Sequence, residues 1–431
     1  MAAEPARSDG PAAHSVRPGT FSALRDRNFR KLWIGTVASY VAFFMSTIVQ
    51  SVVAFELSGT NRAVGAVVFA QGLAMAALGP LGVAFADRWP KRRILALSQT
   101  ASALVLAALA SMLATGTLTV PRLAVGTLLL GAGLSFLAPA RQAFTAEIAP
   151  AQARGNAIAL NQVALTGSQL LGPACAGLLL ASPLGPAGAY AAMAALYALA
   201  VAMLGFLSPS SARSDAAGTH VLSDLADGLR YVWTHARLRV LVLFFVSVVI
   251  TGFPYVTVLP GLVENELGRN ADTISGLYLF SAAGGLGASL VAARLADTRF
   301  GQPLFVATAG IFAAALAALS SVSSYGGAAA AMLFVGTGFG GFQSLNGTVI
   351  VRGCEPAYFG RVFSLTMLAF AGFGLMGLPI GLLADALGER GVLRAMAAGV
   401  ACVCAIAALR LRAIDRRAAG SAAGEPASAR N

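Results

Sequence analysis

The chain has 431 residues, of which 57% are hydrophobic and only 11% charged, with a mean hydropathy of +0.75 and a formal charge of +12. A water-soluble domain carries charge on about a quarter of its residues, so this composition excludes one. It describes a chain that spends most of its length in lipid, and the basic excess has to be read in that setting.

Met1 to Thr20 is polar and rich in Pro, Gly and Ala, and the basic stretch Arg25 to Lys31 follows it. No short apolar core with a cleavage site is present, which argues against a signal peptide. Crossing a hydrocarbon core of ~30 Å takes about 20 apolar residues in a helix. Twelve such runs follow, at 32–55, 63–86, 94–114, 122–142, 156–180, 187–207, 238–260, 273–293, 303–323, 327–351, 362–384 and 392–410. Between the sixth and seventh lies a polar stretch that opens with the loose segment Ser208 to Thr219. Within it Val221, Leu222, Leu225, Leu229 and Val232 recur at helical spacing, with Asp224, Asp227 and Arg230 on the other face. This predicts a short amphipathic helix on the membrane surface, with Ser223 as its N-cap.

The expected fold is an all-α polytopic membrane protein of twelve transmembrane helices in two pseudo-symmetric six-helix bundles. Its segments are a cytoplasmic tail 1–31, a first bundle 32–207, a cytoplasmic central loop 208–237, a second bundle 238–410 and a cytoplasmic tail 411–431. Charge sets the orientation. With the N terminus inside, 25 of the 30 Lys and Arg residues fall on the cytoplasmic side, and only Arg62, Arg122, Arg269, Arg390 and Arg394 fall outside. Basic loops are retained in the cytoplasm during insertion, so both termini are expected there, in the inner membrane of a bacterial cell. The same distribution accounts for the net charge without a nucleic-acid partner; the bilayer itself is the polyanionic neighbour.

Between the second and third runs lies Gly82-Val-Ala-Phe-Ala-Asp87-Arg88-Trp-Pro-Lys91-Arg92-Arg93. An acid at a helix end among several bases can pair and hold two helices in one conformational state. A partial copy, Ala296-Asp297-Thr298-Arg299, follows the eighth run. Likewise Glu147 to Gly155 after the fourth is echoed by Glu355 to Arg361 after the tenth, as an internal six-plus-six repeat would produce. The fifth run contains Gly167-Ser-Gln-Leu-Leu-Gly172-Pro173-Ala-Cys-Ala-Gly177, where small residues permit close helix contact and the Pro bends the helix.

These features together resemble the major facilitator superfamily, whose signature loop lies between helices 2 and 3. Here Val83 and Pro90 stand where that loop usually has glycines. The resemblance implies a conformational gate at Asp87, Arg88, Lys91, Arg92, Asp297 and Arg299. The segment Gly167, Gly172, Pro173, Gly177 resembles the helix-5 motif of the superfamily's exporters and antiporters, which implies outward transport. Phe136 to Phe144 with Arg141, then Glu147, Arg154 to Asn161, Tyr231-Val-Trp233 and Gly360 to Ser364 resemble the branch containing the enterobactin exporter and macrolide efflux proteins.

Other patterns read more plainly. Gly372-Phe-Gly374-Leu-Met-Gly377 fits a dinucleotide-binding spacing but lies inside an apolar run, so it marks helix packing. Asn346-Gly-Thr348 lies inside a span and is no glycosylation site. The four cysteines are small buried side chains, His14, His220 and His235 sit in polar segments, and nothing points to a metal, a cofactor or an enzyme.

A charge in mid-membrane commonly marks an ion path. The centres of these runs hold none: Glu56 and Asp385 lie near outer ends, while Arg141, Glu147, Arg352 and Arg361 lie at inner ends. The position of an exporter's helix-4 Arg holds Thr127, so no coupling residue is assigned. Neutral polar groups, namely Tyr40, Gln50, Gln71, Asn161, Gln162, Gln169, Tyr255, Gln343 and Asn346, are the candidates to line a cavity, together with Phe43, Phe44 and Phe253. The expected function is secondary-active export of a small lipophilic compound, a drug, antibiotic or siderophore, by a monomer working through alternating access, with protons as the counter-ion. Import of a nutrient by the same fold, or a non-transporting scaffold or receptor, are the alternatives.

Overall fold

The computed structural model describes residues 22–149, 153–207, 221–269, 273–296, 298, 300–355 and 358–423. Among these, twelve helical spans are long and apolar enough to cross a membrane, and there is no strand. The first half comprises α1 (Arg27–Ser58), α2 (Asn61–Arg88), α3 (Lys91–Ala114), α4 (Val120–Ile148), α5 (Arg154–Leu180) and α6 (Gly185–Gly205). After α7 (Val221–Thr234), the second half comprises α8 (Ala236–Gly252), α9 (Tyr255–Gly261), α10 (Ile274–Leu295), α11 (Gly301–Leu319), α12 (Tyr325–Arg352), α13 (Phe359–Leu387) and α14 (Glu389–Ala423).

Local chemistry explains where these helices depart from the apolar runs. The first starts at Arg27, five residues before its run, because the Asp26 carboxylate accepts the Phe29 N–H at 2.7 Å and caps it. It ends at Gly59, whose left-handed φ of 63° lets the cap N–H reach Phe55 O. The seventh span is broken: α8 stops at Gly252, Pro254 withholds an N–H, and α9 continues into a π-helical turn, Leu262–Glu266. It therefore extends to Glu266, beyond the expected residue 260. The last helix likewise runs on to Ala423, beyond the apolar run's end at 410. Amphipathic α7 begins at Val221, which puts Ser223 inside its first turn rather than at the N-cap.

Chain direction alternates, so one face of the bundle carries the basic segments, here called the basic face, and the other carries the turns after α1, α9 and α13. The two halves meet chiefly along α2 against α13 and α5 against α10. The Gly72–Gly374 pair shows how close this approach is: a Cβ on Gly72 would fall 2.5 Å from the Gly374 backbone. Gly374 belongs to the Gly372-x-Gly374-x-x-Gly377 run, which serves as a helix-packing surface.

Candidate functional site

Between the halves lies a cavity of about 830 Å³, the size of a site for a drug-sized ligand. From α1 it is lined by Tyr40, Phe43, Phe44 and Thr47, an i, i+3, i+4, i+7 stripe that puts all four on one helix face. Gln71, Ser135, Gln142, Asn161, Gln162 and Gln169 add polar groups from α2, α4 and α5, and the second half supplies Phe253, Tyr255, Tyr278, Ser281, Phe339 and Phe370. The wall continues to Ala86, Ala146, Ile158 and Arg361, close to helix ends at the basic face. Among the described lining residues there is no carboxylate.

Six of the polar candidates, Tyr40, Gln71, Asn161, Gln162, Gln169 and Tyr255, stand in this wall together with the three phenylalanines. Three do not. Gln343 lies behind the wall, where its Nε2 donates to Gln169 Oε1 at 3.0 Å and joins α12 to α5. Gln50 and Asn346 are buried away from the cavity. Gln50 follows Phe43 and Thr47 at i+7 and i+3 on the same helix face but lies one turn nearer the far-face end of α1, past the cavity.

On the face away from the basic segments the cavity is closed by contacts between the halves. The Asp385 carboxylate, at the end of α13, accepts the backbone N–H groups of Asn61 and Arg62 at 2.9 and 3.1 Å, and so caps α2 from the opposite half. Beside it Glu389, at the start of α14 and 5% exposed, accepts from Asn61 Nδ2 at 2.9 Å and from Asn265 Nδ2 at 2.7 Å. Gly261 makes room for this group, since a Cβ there would lie 2.5 Å from Glu389 Oε1. Arg390 pairs with Glu266 at 2.8 Å. Asn61, Asn265 and Glu389 carried no mark in the sequence beyond polar residues at helix ends.

The helix-5 motif is split between two partners. Gly172 meets the backbone of Met45 on α1, where a Cβ would lie 2.9 Å from its nitrogen, and Gly177 faces Ser275 of α10, where a Cβ would lie 2.7 Å from the carbonyl oxygen. Gly167 faces open space, and Pro173 lines the cavity.

At the basic face, Lys91 pairs with Glu147 at 3.5 Å, and Arg92 donates to Leu204 O and Gly205 O at 2.8 and 3.2 Å. These contacts fasten α3 to α4 and α6 within the first half. Arg88 is exposed in the last turn of α2; the Asp87 side chain, Asp297 and Arg299 lie outside the described residues. Arg352 donates to Thr298 O at 3.0 Å, and Arg361 lies over the Tyr358 ring, 4.0 Å from Asp227.

One inner-end charge is placed differently from its expectation. Because α4 continues to Ile148, Arg141 sits seven residues inside the helix and is 1% exposed. Its guanidinium lies 4.7 Å from the centre of the Tyr40 ring, and Nη1 donates to Thr36 O at 3.3 Å. The spans therefore do enclose a buried charge.

A profile of the Major Facilitator Superfamily matches residues 32–372. The chain belongs to that superfamily. It is a multi-pass membrane protein with the superfamily's transporter fold, and solved structures share that fold at low identity. A bacterial homolog of the human lysosomal transporter Spinster, inward-facing and occupied, is 13% identical with a TM-score of 0.69, over 89% of this chain and 96% of the other. The nucleoside transporter NupG is 14% identical with a TM-score of 0.66, over 89% and 99%. A D-xylose–proton symporter is 16% identical with a TM-score of 0.67, over 89% and 97%. No curated protein matches the chain by sequence.

Proposed function

We propose that the chain is a secondary-active transporter of the bacterial inner membrane that exports a small lipophilic compound, such as a drug, antibiotic or siderophore, by alternating access in exchange for protons. The observation that carries this reading is the cavity between the halves, closed at one face by Asp385, Glu389 and the α2–α13 contact, and lined down to the other. If the basic segments are cytoplasmic, as their excess of Lys and Arg favours, both termini are cytoplasmic and the described state loads from the cell interior. Rocking of one half against the other would break the far-face contacts and expose the same wall outside.

The lining suits the cargo: aromatic rings of both halves supply apolar area, and the amides orient without demanding a fixed charge. Export is favoured by the likeness of the Gly167 to Gly177 segment to the exporters' helix-5 motif. The D-xylose–proton symporter that shares the fold keeps an importer as the second reading. Direction-resolved flux in membrane vesicles separates the two. Accumulation in inside-out vesicles that collapses with an uncoupler supports proton-driven export; accumulation only in right-side-out vesicles supports import, and flux indifferent to the uncoupler removes the proton.

A further inference from the structure

Arg141 presents a problem of charge. A guanidinium stays protonated at any physiological pH and brings five N–H donors. Here one donates to Thr36 O, the Tyr40 ring covers one side, and Nε and Nη2 are buried without a hydrogen-bond partner. No carboxylate pairs with it among the described residues. A buried charge is tolerated when a counter-charge or a full set of acceptors meets it, and the described residues supply neither here. Tyr40, which covers it, is itself part of the cavity wall, as are Pro139 and Gln142 on either side of Arg141 in α4. Arg141 thus lies behind the part of the wall that Tyr40 forms, and the described lining of the cavity holds no carboxylate to compete for its Nε and Nη2 N–H groups.

We propose that Arg141 binds an anionic group admitted from the cavity past Tyr40, supplied either by an acidic transported compound or by a free inorganic anion. The proposal rests on the cavity being the substrate pathway and adds a charge preference to it: lipophilic acids over their neutral or cationic analogues. The planar guanidinium offers two adjacent donors, the geometry that a carboxylate takes up with two parallel bonds.

The test is thermal unfolding of the purified full-length protein in a low-salt zwitterionic buffer free of chloride and carboxylates, with 2-naphthylacetate, its amide, 2-(2-naphthyl)ethylammonium and chloride as probes. The expected result is a rise in Tm with the carboxylate at about one-tenth of the concentration the amide requires. That preference should survive Arg141→Lys and vanish in Arg141→Gln. A rise with chloride alone, lost in Arg141→Gln and with no preference for the carboxylate over the amide, assigns the site to a free anion. Equal stabilisation by carboxylate, amide and ammonium, without a chloride effect, overturns the anion site and leaves the cavity reading standing; so does a carboxylate preference unchanged in Arg141→Gln. No rise with any probe overturns both. Should Arg141→Gln fail to fold, Tyr40→Trp keeps the charge but blocks the approach, and the carboxylate preference must then be lost.

Discussion

Replacing Glu389 by Ala should open the face that the described conformation keeps shut. Glu389 holds two carboxamides, but only one bond distinguishes the two states. Asn265 belongs to the same half as Glu389 and would move with it, whereas Asn61 starts α2 in the other half. A hydrogen bond to a buried charged group is worth about 1.5–3 kcal/mol, so its loss should raise the ratio of far-face-open to far-face-closed molecules by about 10- to 150-fold. Glu389→Gln keeps a neutral acceptor, worth about 0.5–1.5 kcal/mol, and should fall between Glu389→Ala and the native protein. The assay is a distance distribution between nitroxide labels at Leu57 and Leu387, exposed residues near the far-face ends of α1 and α13. A longer distance should grow in the order native, Gln, Ala. Identical distributions in all three would refute the view that this contact latches the halves.

Other consequences can be measured independently. Gly72→Val forces a side chain into the contact with Gly374, and overpacking of about 1–3 kcal/mol should lengthen the same label distance and slow transport. Gln162→Ala should weaken binding of a transported compound several-fold in a titration, while Gln50→Ala, off the cavity wall, should leave affinity unchanged. Phe253 packs its ring 4.7 Å from Phe339 and 5.9 Å from Phe312 at the break between α8 and α9. Phe253→Ala should cost about 3–5 kcal/mol and be seen as a lowered Tm.

Spans and motifs differed in how far the sequence exposed them. Twelve helices follow from apolar length alone, since lipid leaves the backbone no other way to satisfy its hydrogen bonds. Helix ends were harder, because caps such as Asp26 lie upstream of the apolar residues, and a helix such as α4 outlasts its apolar stretch. That second error hid Arg141: ending the run at 142 puts the arginine at an edge, whereas seven further residues bury it about 10 Å inside. Lining residues depend on where the gap between the halves falls along each helix as well as on rotation about its axis, and composition encodes neither. Tyr40 and Gln50 are both polar residues of one span, yet only Tyr40 lies at the level of the cavity, Gln50 falling one turn beyond Thr47. The far-face latch was least legible, since Asn61, Asn265 and Glu389 are ordinary polar residues at helix ends until the fold brings them to one point.

The central claim is that one cavity, reached alternately from the two faces, carries the compound. Locking the far face tests it most directly: cysteines at Arg62 and Leu382, exposed residues beside the contact of Gly381 with the Asn61–Arg62 backbone across α2 and α13, are bridged by a short bifunctional thiol reagent in a background lacking the native cysteines. Transport in proteoliposomes is then followed before and after reduction of the bridge. The account predicts that flux stops when the bridge forms, while a compound still binds from the basic face, and that flux returns on reduction. Undiminished flux through the bridged protein would contradict it.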